Sequence, residues 1–74
     1  MAVDVEVFGQ LAPHVPRRQA LTLERPATVQ EIALQLGLNV DDIGLMSING
    51  VQVELHELVP LDCRLCFFPP MSGG

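Results

Sequence analysis

The chain contains no lysine; its four basic residues are Arg17, Arg18, Arg25 and Arg64. If the C-terminus were ever joined to amines, the protein would have no lysine side chain on which to build chains of itself. Basic residues cluster nowhere beyond Arg17-Arg18, and the net charge is −5. A surface that binds a phosphate backbone is thereby excluded, and no nucleic-acid partner is expected. No apolar run is long enough to span a bilayer and no signal peptide is recognisable, so no membrane association and a cytoplasmic location are expected. The acidic balance suits a basic partner, and equally keeps a small domain in solution.

Catalytic equipment is equally sparse. There is no phosphate-cradling glycine loop and no serine–histidine–acid set. His14 stands in a loop without a cysteine, histidine or acid nearby and reads as a solvated side chain. His56 lies beside Glu54 and Glu57 but lacks further ligands, so no metal is expected. Cysteine is limited to Cys63 and Cys66. Their C-x-x-C spacing admits a redox pair, a metal half-site or a disulfide. The redox motif normally opens a helix, where the helix N-terminus lowers a thiol pKa. Here the string falls in Cys63-Arg64-Leu65-Cys66-Phe67-Phe68, which reads as a strand, and positions three apart on a strand face opposite sides. One pair also cannot close a four-ligand zinc site. Two ordinary thiols are expected, as suits a reducing compartment.

What is present is globular. Hydrophobic residues make up 49% and charged residues 18% of 74 residues, enough for one domain with one small core. Residues 2–8 alternate cleanly, with Val3, Val5 and Val7 on one face and Asp4, Glu6 and Phe8 on the other, as in a half-buried strand. Gly9 to Arg17, with Pro13 and Pro16, is a loop. Arg18 to Glu24 is a second strand directing Leu21 and Leu23 inward. Thr28 and Glu31 form a capping box that opens a short helix. Val29, Ile32, Ala33 and Leu36 make its buried stripe, and Gly37 is its stop. Leu45 to Asn49 is a third strand with Met46 and Ile48 on one face. Asn49-Gly50 is a tight-turn signal, returning Val51 to Leu55 antiparallel. Residues 56–62 are a turn region with room for one helical turn. Cys63 to Phe68 is the last strand, with Leu65 and Phe67 inward and Arg64, Cys66 and Phe68 outward. The order β-β-α-β-β-β predicts an α+β fold, a mixed sheet of four to five strands packed on one main helix.

The end of the chain is Phe67-Phe68-Pro69-Pro70-Met71-Ser72-Gly73-Gly74. Pro69 and Pro70 cannot donate ladder hydrogen bonds, so regular pairing stops there and the exit stiffens into an extended path. Met71, Ser72, Gly73 and Gly74 follow as a narrow thread. At ~3.3 Å per residue, Pro69 to Gly74 can reach roughly 20 Å. The division expected is a domain over residues 1–68 and a flexible Gly-Gly tail over 69–74.

This element order, ending in Phe-Phe-Pro-Pro-x-x-Gly-Gly, resembles the ubiquitin-like β-grasp sulfur-carrier family. That family includes the small subunit of molybdopterin synthase and the thiamine-pathway sulfur carrier. The resemblance covers essentially the whole chain, and Phe67 to Gly74 looks most like the molybdopterin synthase small subunit. Ile48-Asn49-Gly50 is similar to the family's third strand and turn. Before the last strand many members carry Asp-Gly-Asp, where this chain has Leu61-Asp62-Cys63. The resemblance implies that the first and last strands are parallel neighbours at the sheet centre. Phe8 and Phe68 then lie at one end of the sheet, as an apolar partner-binding patch at the root of the tail, unless the 9–17 loop folds over it.

The chemistry implied by the resemblance belongs to Gly74. No cofactor is held by the chain itself. A ubiquitin-activating-type adenylyltransferase uses ATP to adenylate the C-terminal carboxylate, and a persulfide sulfur then displaces AMP to leave a thiocarboxylate. A sulfur-accepting synthase large subunit takes that sulfur, in the molybdenum or tungsten cofactor pathway, or in thiamine or another thiolation pathway. The chain is then a non-catalytic carrier, or the small subunit of a sulfurtransferase such as molybdopterin synthase. Pro69 to Gly73 would thread the tail into the partner's channel. A ubiquitin-like modifier joined to proteins through Gly74 uses the same activated carboxylate. A redox protein based on Cys63 and Cys66, and a plain interaction module with an incidental Gly-Gly, are further alternatives.

Overall fold

Alternation of valine with charged residues makes Ala2–Val7 the strand β1, with Val3, Val5 and Val7 buried. The computed structural model describes residues 2–9 and 15–70. His14, Met71, Ser72, Gly73 and Gly74 lie outside the described residues. After β1 come β2 (Arg18–Thr22), α1 (Val29–Gln35), a 3-10 turn (Val40–Asp42), β3 (Leu45–Ile48), β4 (Val51–Gln52) and β5 (Arg64–Phe68). They form one five-stranded sheet in the order β2-β1-β5-β3-β4. β1 and β5 are parallel neighbours, and the other pairings are antiparallel. This is the expected mixed sheet with one main helix. Among the described residues no helix is long and apolar enough to cross a membrane.

One face of the sheet and the inner stripe of α1 close the core. Val3, Val29, Ile32, Leu65 and Phe67 are inaccessible to solvent or nearly so. Each such side chain contributes roughly 1.5–3 kcal/mol by leaving water. Cys63 joins this core, whereas Cys66 points to the opposite sheet face, as strand parity requires. Both are free thiols. Cys66 was expected to face outward, and it does, yet it is buried there among its neighbours. Burial pushes the Cys63 thiol up, aided by Asp4 and Asp62. That makes it a poor nucleophile at neutral pH.

The helix is fully accounted for at its start. The Thr28 N–H donates to the Glu31 carboxylate and the Glu31 N–H to the Thr28 hydroxyl oxygen, completing the capping box. The Val29 and Gln30 N–H groups donate to the carbonyls of Glu57 and Leu55, both at 3.0 Å. No N–H of the first turn is left without an acceptor, which is the usual weakness of a helix start. This also explains why residues 56–62 make turns and no helical turn: their stretch runs past α1 as a strap, with Thr28 bridged to Leu58. The same demand shortens the fourth strand, expected to reach Leu55, to Val51–Gln52. At the other end, the Gly37 and Leu38 N–H groups bond back to Leu34 and Ala33, as in a Schellman stop.

Two turns bring β5 to its place. Asn49 (φ 51°) and Gly50 (φ 85°) make the tight turn that their dipeptide signals. The Asn49 side chain also accepts from the Arg64 N–H at 2.9 Å, tying that hairpin to the start of β5. Asp62 takes φ 56°, in the position where many members of the resembled family carry glycine. Aspartate tolerates the left-handed region better than most residues, so the turn is made without a glycine.

Thr28→Ala removes the cap and is expected to lower stability by about 1 kcal/mol, read as a lower urea midpoint with an unchanged slope. Hydrogen bonds from Thr28 hold the Glu31 carboxyl below its ordinary value of 4.5. Its contribution is therefore complete above that value and is lost as pH falls through the lower, folded-state value. Glu31→Gln is expected to flatten this part of the acid limb, and an unchanged acid limb would refute the assignment.

Candidate functional site

β5 carries two sets of residues on alternate sides. Leu65 and Phe67 lie in the core, whereas Arg64, Cys66 and Phe68 point to the sheet face opposite the helix. The register pairs Val7 with Phe67 and Met46 with Phe67, and Leu45 with Phe68. Phe8, one residue beyond the end of β1, then falls level with Phe68. The rings stack at 4.6 Å between centroids with 5° between their planes. Such pairs contribute ~0.5–1.5 kcal/mol beyond their buried area. The Arg17 guanidinium sits 5.4 Å from the Phe8 centroid, a cation–π contact. Both phenylalanines remain half-buried, and Leu45 beside Phe68 is exposed. The expected pairing of Phe8 and Phe68 at one end of the sheet is therefore present, with Arg17 laid over part of it.

The tail root continues from this patch. The Phe8 N–H donates to the Phe67 carbonyl (2.9 Å) and the Gly44 N–H to the Phe68 carbonyl (2.8 Å). These are the last rungs on either side of β5. Pro69 and Pro70 follow, with no N–H to extend the ladder. They do not stand clear of the body: Pro69 is half-buried and its ring lies against Gly9, while the Pro69-Pro70 backbone passes close over Gly44. Neither glycine was singled out from the sequence. Met71, Ser72, Gly73 and Gly74, the rest of the expected threading segment, lie outside the described residues.

Charge on this face is organised around Glu6. The residue is only 8% exposed, the single buried charged residue among those described. Arg64 donates to its carboxylate, and Arg18 Nε lies 3.9 Å away. The Arg64 hydrogen bond first, then the positive charges of Arg64, Arg18 and Arg17, hold the Glu6 carboxyl below 4.5 against the opposing effect of burial. Alternation places Glu6 on the outer face, and the pairing of β1 with β5 brings Arg64 to it. A shallow depression of about 240 Å³ between Asp4, Glu6, Arg18, Gln19 and Arg64 adjoins the pair. Among the described residues no group of three or more His, Cys, Asp and Glu side chains is placed to hold a metal ion.

Comparisons with known proteins bear on the family and the fold. A family model described as the ThiS family matches residues 5–74. No curated protein matches the chain. Among solved structures, the crystal structure of SAMP1 from Haloferax volcanii is similar over 100% of both chains, with a TM-score of 0.73 and 24% identity. At that identity the likeness bears on the fold, which is the ubiquitin-like one.

Glu6→Gln is expected to lower stability at neutral pH, because Arg64 loses its charged partner. The loss should vanish in acid, where the wild-type carboxylate is itself protonated. Because the folded-state pKa is depressed, stability from this pair is present above 4.5 and disappears as pH falls through the folded-state value. Equilibrium unfolding of both proteins across pH 3–7 (roughly the span over which a carboxylate titrates) measures the difference. A gap that persists undiminished in acid would rule out the charge pairing as its cause.

Proposed function

The chain belongs to the ThiS family of ubiquitin-like sulfur carriers, and from that premise we propose that it carries sulfur on Gly74 for molybdopterin, the organic part of the molybdenum or tungsten cofactor. The observation that carries the reading is the continuity of Phe8, Phe68, Pro69 and Pro70: an apolar patch opens directly onto the stretch that ends in Gly73-Gly74. The likeness of Phe67 to Gly74 to the molybdopterin synthase small subunit supports that pathway over the thiamine one.

In this reading the body docks and the tail reacts. Half-exposed stacked aromatics inside a polar surround form a surface that gains by leaving water, as partner-binding centres do. Phe8 and Phe68 seat the body, and Pro69, Pro70, Met71, Ser72 and Gly73 lead toward the reacting end. Two prolines reduce the freedom that the segment must give up on threading. Gly73 and Gly74 have no Cβ to meet a channel wall. A carboxylate does not yield to a sulfur nucleophile, because oxide would have to leave. A ubiquitin-activating-type adenylyltransferase therefore spends ATP to form the Gly74 acyl adenylate and pyrophosphate. A persulfide sulfur attacks the carbonyl carbon and AMP leaves. A thiol then cleaves the remaining S–S bond, leaving the thiocarboxylate on Gly74 and a disulfide on the donor. The thiocarboxylate sulfur attacks the acceptor held by a synthase large subunit. The chain supplies the carried group and the docking surface, and its partners supply the catalytic residues.

Intact mass spectrometry of the chain, after incubation with ATP, a persulfide donor and the activating enzyme, is expected to show one oxygen exchanged for sulfur at Gly74. Adducts linked only through amides to other proteins would move the assignment to a ubiquitin-like modifier. Phe68→Asp is expected to weaken partner binding at least tenfold, about 1.4 kcal/mol, while the free protein stays folded. Equal affinity in a titration of the two proteins would remove the patch from the interface. Gly73→Ala is expected to slow activation with little effect on folding.

A further inference from the structure

Two glycines far apart in sequence meet the tail root from two sides. A Cβ on Gly44 would stand 2.7 Å from the Pro69 carbonyl oxygen and from the Pro70 nitrogen, and closer still to the Pro70 Cα. All three are backbone atoms, so no side-chain rotation relieves the overlap. A Cβ on Gly9 would stand 2.7 Å from Cγ of the Pro69 ring and 3.3 Å from its Cδ. The Gly44 N–H also donates to the Phe68 carbonyl at 2.8 Å, fixing the residue just before the prolines. Gly50 makes a useful contrast, since a Cβ there would meet nothing within 4 Å.

From this geometry we propose that Gly9 and Gly44 are positioning residues: they form a cleft that clamps Pro69-Pro70 and sets the direction in which the tail leaves the body. The proposal rests on the sulfur-carrier reading of Gly74. The cleft acts on direction because the prolines hold φ near −65°. An exit angle set at Phe68 is therefore passed on through two residues. Gly74 lies only four residues past Pro70, at most ~13–14 Å of chain when extended. Reach of that length leaves little slack, so a root pushed aside takes away from the distance that the carboxylate can travel into a partner. Misplacing a reacting group by about 1 Å can cost on the order of 10²-fold in rate. The clamp contributes this without touching the docking patch itself, since the overlaps involve the proline segment and not the Phe8 or Phe68 ring.

The test has a structural arm and a kinetic arm. In the free wild-type chain, NMR is expected to show a cross-relaxation peak between the Gly44 and Pro70 α-protons; its absence from a well-resolved spectrum overturns the clamp whatever the chain's function. In Gly44→Ala the peak is expected to disappear while the core resonances of Phe67 and Ile32 stay in place. With the adenylyltransferase that converts wild type, pyrophosphate release by G44A is expected to show kcat lowered about tenfold or more at a nearly unchanged KM. Equal kcat values, or a raised KM with kcat intact, overturn the positioning role. Gly9→Ala introduces both a ring overlap and strain at φ +69°, so Gly44→Ala, which adds the overlap without a left-handed backbone, carries the test. A wild type that releases no pyrophosphate defeats the carrier reading and leaves the cross-relaxation result to decide the clamp.

Discussion

The parallel pairing of β1 with β5 is the constraint on which the rest of the molecule depends. Asp4 aligns with Arg64 and Val7 with Phe67, so the register joins residues sixty apart. A parallel pair cannot be closed by a hairpin; it needs a crossover, and here α1 and the β3–β4 hairpin lie between its two members. Closing so long a loop is costly in entropy, and the return comes from Val5 and Val7 burying against Leu65 and Phe67 under the helix. Parallel direction has a second effect. Both strands end at the same edge, so Phe8 and Phe68 stack there and the tail leaves from the centre of the sheet. In an antiparallel arrangement the two rings would lie at opposite ends.

Core and outer sheet face are coupled by the two-residue period of β5. Moving this strand by one residue would bring Arg64, Cys66 and Phe68 into the core and expel Leu65 and Phe67. The register is therefore enforced from beneath by a Phe67 side chain with no solvent exposure and from the side by the Asn49 hydrogen bond to Arg64. Enforcing it also brings Arg64 within reach of Glu6. The ion pair is thus a consequence of core packing. It reinforces a register that burial already selects, and it keeps a carboxylate charged in a place where burial alone would favour its neutral form.

Much of this could be read from local sequence because local chemistry decides it. Thr28 and Glu31 are three residues apart, Asn49-Gly50 is a dipeptide, and the alternation of Val3, Val5 and Val7 needs no partner to be recognised. The stacked phenylalanines followed once the family likeness supplied strand direction. Features that depend on distant backbone escaped. Residues 54–59 have no strong pattern of their own, yet their carbonyls complete the start of α1. Gly9 and Gly44 look like ordinary loop glycines until Pro69 and Pro70 are laid against them, because close approach leaves no trace in the spacing of either segment. Alternation put Glu6 on the outer face but not its burial there, because its partner stands in the last strand. The 3-10 turn at Val40–Asp42, capped by the Asn39 side chain, likewise lay hidden within a connection read as irregular.

The acidic balance of the chain conceals an uneven distribution. Arg17, Arg18 and Arg64, three of the four arginines, gather on the outer sheet face, where Asp4 and Glu6 are the facing acids. That face is therefore slightly positive in side-chain charge, while the rest of the molecule holds Arg25 and the seven remaining acids, a balance of −6. A net charge of −5 taken alone points to a basic partner; the distribution places the least negative surface beside the Phe8–Phe68 patch and the tail root. Exposed charges of this kind govern orientation and rate of encounter more than final affinity, and salt screens them over ~8–10 Å. In the proposed reading the stacked rings gain from leaving water and the cleft at Gly9 and Gly44 directs the tail. Both lie beside the least negative surface, and the last strand holds all three in place.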